Sequence, residues 1–264
     1  GTVDPWHLID PRTAWVTVIL IAALGFVNYV LLKLYGERGI LPGSFFGGVV
    51  NSTVTVAYLG KRVDASGHGN AELAFGGVAL ATAAMLLRNA VLLAVISPSA
   101  ALAAAVPLAL MTVTAFLVAL LRRRSGAAGK DSGDGVAGVR SPFSLEAALL
   151  FGLIFLALQV IGTLADRALG QAGFYAVSVI GGTVSSASAV ASAGTLAARG
   201  TVEPAVAGAG ALLASVASAV VHLPVLARAT HDRQLTRRAT MVIGAVVVAA
   251  VVGAGVQLML GAKL

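Results

Sequence analysis

Residues 71–96 read AELAFGGVALATAAMLLRNAVLLAVI, an apolar run whose only charged members are Glu72, at its start, and Arg88. About 20 consecutive apolar residues in a helix are enough to span the hydrocarbon core of a bilayer. The sequence therefore predicts an all-α polytopic membrane protein. Five other segments follow the same pattern, and they cover residues 13–35, 99–121, 145–165, 204–228 and 237–260.

The composition fits this prediction and excludes several classes of protein. Charged residues make up 11% of the 264 residues, whereas a soluble domain carries about 25%. The chain has no cysteine, which excludes disulfides and thiolate metal sites. The net charge of +7 comes from loops that have almost no aromatic side chain to stack on bases, so nucleic acid is not expected as a partner. We expect the lipid bilayer as the partner and the bacterial cytoplasmic (inner) membrane as the location, with multiple passes.

Two further segments are rich in Gly, Ser and Thr, and each has a Gly-Gly pair near its middle. They are residues 43–59, GSFFGGVVNSTVTVAYL, and residues 173–198, GFYAVSVIGGTVSSASAVASAGTLAA. Each is either a spanning helix or a broken, re-entrant segment buried among other helices. A polar linker, residues 122–144, separates a first membrane repeat, 1–121, from a second, 145–264.

The two Gly-Gly segments align with each other. Residues 47–52 match residues 181–186 at a shift of 134 residues, and the alignment continues without a gap. At that shift Arg88 falls on His222, and these are the two basic residues within the predicted spans. The sequence therefore predicts two homologous halves.

Loop charges decide how the halves are oriented. If both Gly-Gly segments cross the membrane, the halves are parallel, and the Lys and Arg residues outside the spans divide ten to seven between the faces. If each segment enters and leaves on one face, the halves are inverted and the division is thirteen to four. Cytoplasmic loops carry an excess of Lys and Arg, which favours the second arrangement. We predict an inverted repeat of three spanning helices plus one Gly-Gly broken or re-entrant segment in each half, a plan found in transporters.

The polar residues within the spans include no Asp or Glu near the middle of any span. Cation and proton carriers place carboxylates there, and divalent metals require several oxygen ligands. Neither a metal nor a cofactor is therefore expected. No catalytic triad, nucleotide-binding loop or metal motif is present, so the sequence gives no reason to predict an enzyme.

Arg88 is the most informative polar residue, because a buried guanidinium needs a partner. It pairs either with backbone carbonyls freed by a broken segment or with a bound anion. His222 is either a core histidine with satisfied hydrogen bonds or a second basic group at the same cavity. Ser, Thr and Asn after each Gly-Gly pair suit anionic groups or hold neighbouring helices together. The candidate substrate-binding residues are Arg88, His222, Asn51, Ser52, Thr53, Ser185, Ser186 and Ser188.

These features favour a small membrane transporter or flippase-like permease with a central site for an anionic or zwitterionic substrate. The alternative is a non-transporting membrane partner that regulates another membrane protein. The first function requires a polar cavity that opens to water, whereas the second requires a flat, lipid-facing surface of small residues.

Four stretches carry a resemblance to a known family: residues 10–15 (DPRTAW), 25–30 (GFVNYV), 47–55 (GGVVNSTVT) and 85–88 (MLLR). Together they resemble the C-terminal membrane domain of the MgtC/SapB family, which has no settled activity. The resemblance implies a polytopic membrane fold and an MgtC-type domain as a protein partner, with a homo-oligomer as the alternative. The second half departs from the family, since Ser185–Ser188 stand where relatives carry an acidic stretch, and no cation-linked role is implied.

The inverted arrangement makes a testable prediction about topology. Residues 36–42, 60–70, 122–144 and 229–236 should face the cytoplasm, with both termini outside. Because the chain has no cysteine, a single introduced cysteine reports its own position. In intact cells a membrane-impermeant maleimide should label Thr2→Cys and leave Ser132→Cys unlabelled. The reverse pattern would contradict the inverted arrangement.

Overall fold

The computed structural model describes residues 40–66, 71–125 and 145–261, together with five helical positions between residues 15 and 30. The rest of the first predicted span, 13–35, and the part of the linker from residue 126 to 144 lie outside the described residues. Every described element is helical. The helices are α1 (Ile40–Ser66), α2 (Ala71–Ile96), α3 (Pro98–Ala103), α4 (Ala105–Ser125), α5 (Leu145–Leu169), α6 (Gln171–Ala198), α7 (Pro204–Ala229) and α8 (Arg233–Gly261).

Six of the described helices, α1, α2, α5, α6, α7 and α8, are long and apolar enough to cross a membrane. Their outer faces expose large apolar side chains: Leu153 is 66% exposed, Val251 69% and Leu258 75%. A contiguous apolar surface of this kind is costly in water and is satisfied by lipid. The prediction of a polytopic, multi-pass membrane protein is confirmed at this level.

The predicted span 99–121 is wrong as a single helix. Ser97 caps a new helix, since its Oγ accepts a hydrogen bond from Ala100 N at 3.4 Å and Pro98 occupies the first position. A turn at Ala104 then separates the short α3 from α4. α4 continues to Ser125, so the first four residues of the predicted linker are helical.

Both Gly-Gly segments are interrupted, as the sequence predicts. The backbone leaves the helical region at Asn51 (φ −153°, ψ 96°) in α1 and at Ser185 (φ −156°, ψ 101°) in α6. These positions are 134 residues apart, which is the shift that aligns the Gly-Gly pairs. Asn51 Oδ1 accepts from Val54 N at 3.1 Å, and Ser185 Oγ accepts from Ser188 N at 3.3 Å. Each residue therefore caps the second half of its helix.

The chain reverses direction at each interruption. A Cβ added to Gly77 would lie 2.6 Å from Ser44 Oγ and 2.9 Å from Leu59 Cδ1, although a straight helix would separate positions 44 and 59 by about 22 Å. In α6, a Cβ on Gly181 would lie 3.3 Å from Ala189 Cβ, whereas a straight helix would place these residues about 12 Å apart. We call α1 the first hairpin and α6 the second hairpin.

The Gly-Gly pairs let each hairpin pack directly on the backbone of the next helix. A Cβ on Gly48 would lie 2.5 Å from Ala81 Cα in α2, and one on Gly182 would lie 2.4 Å from Ala214 O in α7. Only glycine permits this approach, because any side chain would collide with main-chain atoms. The first hairpin also contacts α7 and the second hairpin contacts α2, so the four elements form the centre of the molecule.

Polar contacts tie two distant stretches together at one end of the bundle. Asp64, near the end of α1, accepts hydrogen bonds from Thr230 Oγ1 at 2.7 Å and from His231 N at 3.1 Å. Arg238 in α8 forms an ion pair with Glu72 at the start of α2. The α1–α2 connection and the α7–α8 connection therefore lie at the same end.

The glycine contacts predict a strong effect of a single methyl group. Gly48→Ala and Gly182→Ala should each lower the free energy of unfolding by about 1–3 kcal/mol, because the methyl forces packed backbones apart. Thermal unfolding in detergent measures this change. Gly255→Ala is the matched control, since nothing lies within 4 Å of its added Cβ and alanine favours the helix. Equal melting temperatures for all three variants would contradict the packing argument.

Candidate functional site

The tips of the two hairpins meet at a cavity of about 710 Å³. Six of the eight residues predicted for the site line it, whereas Ser188 and His222 are buried behind its wall. No Asp or Glu is among the described lining residues. The polar residues of the wall are Asn51, Ser52, Thr53, Tyr58, Arg88, Thr183, Ser185, Ser186 and Ser218.

Arg88 bridges the two hairpins. Its Nη1 donates to Val49 O at 3.0 Å and to Val50 O at 3.4 Å, and its Nη2 donates to Ser186 Oγ at 3.1 Å and Asn89 Oδ1 at 3.3 Å. The two carbonyls belong to the half-helix that ends at Asn51, where the interruption removes their intrahelical partners. A positive charge also interacts favourably with this C-terminal end of the helix dipole. Of the two roles left open by the sequence, the geometry contains the pairing with freed carbonyls.

Arg88 nevertheless remains part of the cavity wall. Its Nε has no hydrogen-bond partner within the described part of the chain. The terminal nitrogens are occupied by protein groups, so a bidentate clamp on a ligand is not available without rearrangement. Arg88 can therefore contribute its positive charge to the cavity while its guanidinium holds the hairpins in place.

His222 positions Ser52 in the cavity wall. The hydroxyl of Thr82 donates to Val78 O at 2.9 Å, so the His222 Nδ1 at 3.1 Å from Thr82 Oγ1 must be the donor in that contact. In the neutral ring Nε2 is then the acceptor for the hydroxyl of Ser52, 3.0 Å away. His222 is a buried histidine with both ring nitrogens bonded, which is the first of the two readings that the sequence leaves open.

A matching set of contacts lies on the other side of the cavity. Asn89 Nδ2 donates to Ser215 Oγ at 3.0 Å, and Ser215 Oγ donates to Ala211 O at 2.8 Å. This pair repeats the contact of His222 with Thr82, whose hydroxyl donates to its own helix in the same way. Ser186 is held by Arg88, next to Asn89, as Ser52 is held by His222.

These contacts correct the alignment of Arg88 with His222. α7 starts and ends 133 residues after α2, not 134, so His222 corresponds to Asn89 and Arg88 corresponds to Val221. The contacts of Gly48 with Ala81 and of Gly182 with Ala214 have the same offset. The ungapped alignment is wrong by one residue because the connection between hairpin and following helix is one residue shorter in the second half.

Sequence reasoning missed Thr82, Asn89 and Ser215 as members of the site. A signal for them exists: Thr82 and Asn89 are seven residues apart, as are Ser215 and His222. Seven residues are about two helical turns, so each pair shares one helix face. A search for polar residues at this spacing inside apolar helices would have found all four.

Two helix N-termini face the cavity with free amides. Asn51 and Ser185 each satisfy one amide two positions into the half-helix that follows, at Val54 and Ser188. The amides of the first residues, which include Ser52 and Ser186, have no intrahelical acceptor. Together with the charge of Arg88 they favour a negatively charged group in the cavity. Among the described residues, no group of His, Cys, Asp and Glu could hold a metal ion.

The contacts of Arg88 predict the effect of a conservative change. Arg88→Lys should lower the free energy of unfolding by about 2–3 kcal/mol, because one ammonium cannot reach both the carbonyls of the first hairpin and Ser186 in the second. Thermal unfolding in detergent tests this. Arg228→Lys, at an exposed position in α7, is the control and should leave the melting temperature unchanged. An Arg88→Lys protein as stable as the control would exclude the bridging role.

The comparisons with known proteins give a family and no function. The family model described as "Domain of unknown function (DUF4010)" matches residues 19–230, which include both hairpins and every residue of the candidate site. No curated protein and no solved structure matches the chain. Since the match covers more than half of the sequence, the chain belongs to the DUF4010 family.

Proposed function

We propose that this protein is a small membrane transporter or flippase-like permease whose central cavity binds an anionic or zwitterionic substrate. The observation that carries the proposal is the cavity between the hairpin tips. It combines two helix N-termini with the charge of Arg88, and no carboxylate of the described residues lines it. An interrupted helix costs free energy in an apolar bundle, and it is tolerated where it lines a polar cavity.

The proposal includes an inverted repeat. Each hairpin would be a re-entrant segment that enters and leaves the membrane on the same face, which leaves three spanning helices in each half. The reversal of the chain at Asn51 and at Ser185 supports this arrangement. The contacts of Asp64 with His231 and of Glu72 with Arg238 support it too, since parallel halves would place these two connections on opposite faces.

Interrupted helices that meet near the middle of the membrane are the usual site architecture of inverted-repeat transporters. There the positive ends of half-helices point at anionic groups of the substrate. The thirteen-to-four division of loop charges puts the connections after each hairpin and after α7 on the cytoplasmic side. We assign the protein to the bacterial cytoplasmic membrane on this basis. An MgtC-type domain stays the partner that the family resemblance predicts.

A transporter must expose its site to each side of the membrane in turn, and this can be tested without knowing the substrate. Thr53 and Thr183 line the cavity from the two hairpins. Thr53→Cys and Thr183→Cys should each react with a membrane-impermeant thiol reagent in right-side-out vesicles and in inside-out vesicles. Reaction from both sides is expected because the cavity wall becomes hydrated in each of the two states.

Val248→Cys is the matched control for this experiment. Val248 is 62% exposed on α8, where it faces lipid, so its thiol should react from neither side. Reaction of the two cavity cysteines from one side only would contradict transport. It would favour the alternative function, a non-transporting membrane partner that regulates another membrane protein.

A further inference from the structure

The two sides of the cavity follow one plan except at a single position. On both sides a hairpin tip packs against the following helix, and a serine of the tip is held by a polar side chain from the other half. The exception is Arg88, since the position that corresponds to it in α7 is Val221. One side therefore contains a resident cation, and the other has an apolar side chain in its place.

On the first side the cation has a defined set of acceptors. The carbonyls of Val49 and Val50, the amide oxygen of Asn89 and the hydroxyl of Ser186 surround the guanidinium at 3.0–3.4 Å. The two carbonyls are essential to this set, because the interruption at Asn51 leaves them without partners in their own helix. Arg88 satisfies them with a charge-assisted donor.

The second side has corresponding acceptors. Adding 134 to positions 49 and 50 gives Thr183 and Val184, whose carbonyls precede the interruption at Ser185 and lose their intrahelical partners in the same way. Both residues line the cavity and are exposed. Ser52 stands where Ser186 stands on the first side. The side chain of Val221 carries no donor, so these oxygens face the cavity without the cation that their counterparts bind.

We infer that the Thr183–Val184 carbonyls bind a cationic group of the substrate, an amine or a guanidinium. The substrate is then zwitterionic: its anionic group lies at the half-helix N-termini near Arg88, and its nitrogen occupies the place that corresponds to the guanidinium of Arg88. A nitrogen cation fits because it donates several hydrogen bonds to carbonyl and hydroxyl oxygens, as Arg88 does. This inference rests on the proposed function and narrows its substrate class.

The test compares ligands that share an anion and differ by an amine. Inorganic phosphate is paired with phosphoethanolamine, and acetate with β-alanine, and binding to the detergent-purified protein is measured by calorimetry. In at least one pair the zwitterion should bind about tenfold more tightly than the anion alone, since one charge-assisted hydrogen bond accounts for at least that factor. Val221→Arg places a guanidinium at the acceptors and should reduce this ratio to about twofold or less.

Controls separate charge from bulk. Val221→Leu enlarges the side chain without adding a donor and should keep the preference for the zwitterion. If Val221→Arg does not fold, Val221→Lys tests the same point with a shorter cation. Equal binding of anion and zwitterion to the unaltered protein would overturn the inference while leaving the anion site intact. So would a Val221→Arg protein that retains the full ratio.

Two further outcomes identify a different error. If sodium chloride, compared with N-methylglucamine chloride, strengthens binding of the anion and the zwitterion gains nothing, the carbonyls bind a metal ion and the inference is wrong. If neither compound of either pair binds, the inference fails together with the anion site of the proposed function. Labelling of the cavity cysteines still reports on transport independently of either result.

Discussion

The hydrogen bonds of Arg88 to Val49 O and Val50 O connect the main features of this fold. Inside a membrane no water is available to satisfy carbonyls that an interrupted helix releases. The first hairpin can end its first half at Asn51 because α2 supplies a guanidinium at that point. The same guanidinium reaches Ser186, so satisfying one hairpin also fixes its distance to the other.

The glycine pairs make this geometry possible. Gly48 and Gly182 allow the hairpins to touch the backbones of α2 and α7, which brings their tips within reach of side chains from those helices. The buried pairs of His222 with Thr82 and of Asn89 with Ser215 then join the two halves. Each member is satisfied without a carboxylate, and the centre of the molecule keeps the positive charge of Arg88.

The cavity follows from these constraints. Its walls are the capped starts of two half-helices, so its polarity comes mainly from backbone groups and hydroxyls. Such groups recognise charge and shape without requiring a metal. The exchange of arginine for Val221 on one side makes the site asymmetric, and an asymmetric site orients a ligand that has two different ends.

Apolar run length and the Gly-Gly pairs, both local features of the sequence, determined the membrane class, the bounds of α2 and the interruptions of both hairpins. Local features did not determine that residues 99–121 divide at Ala104, nor that His222 corresponds to Asn89. A connection shorter by one residue is invisible to an ungapped alignment. Only the tertiary structure decided which oxygens Arg88 binds, because its partners lie up to 98 residues away and are brought together by the packing of glycine against backbone.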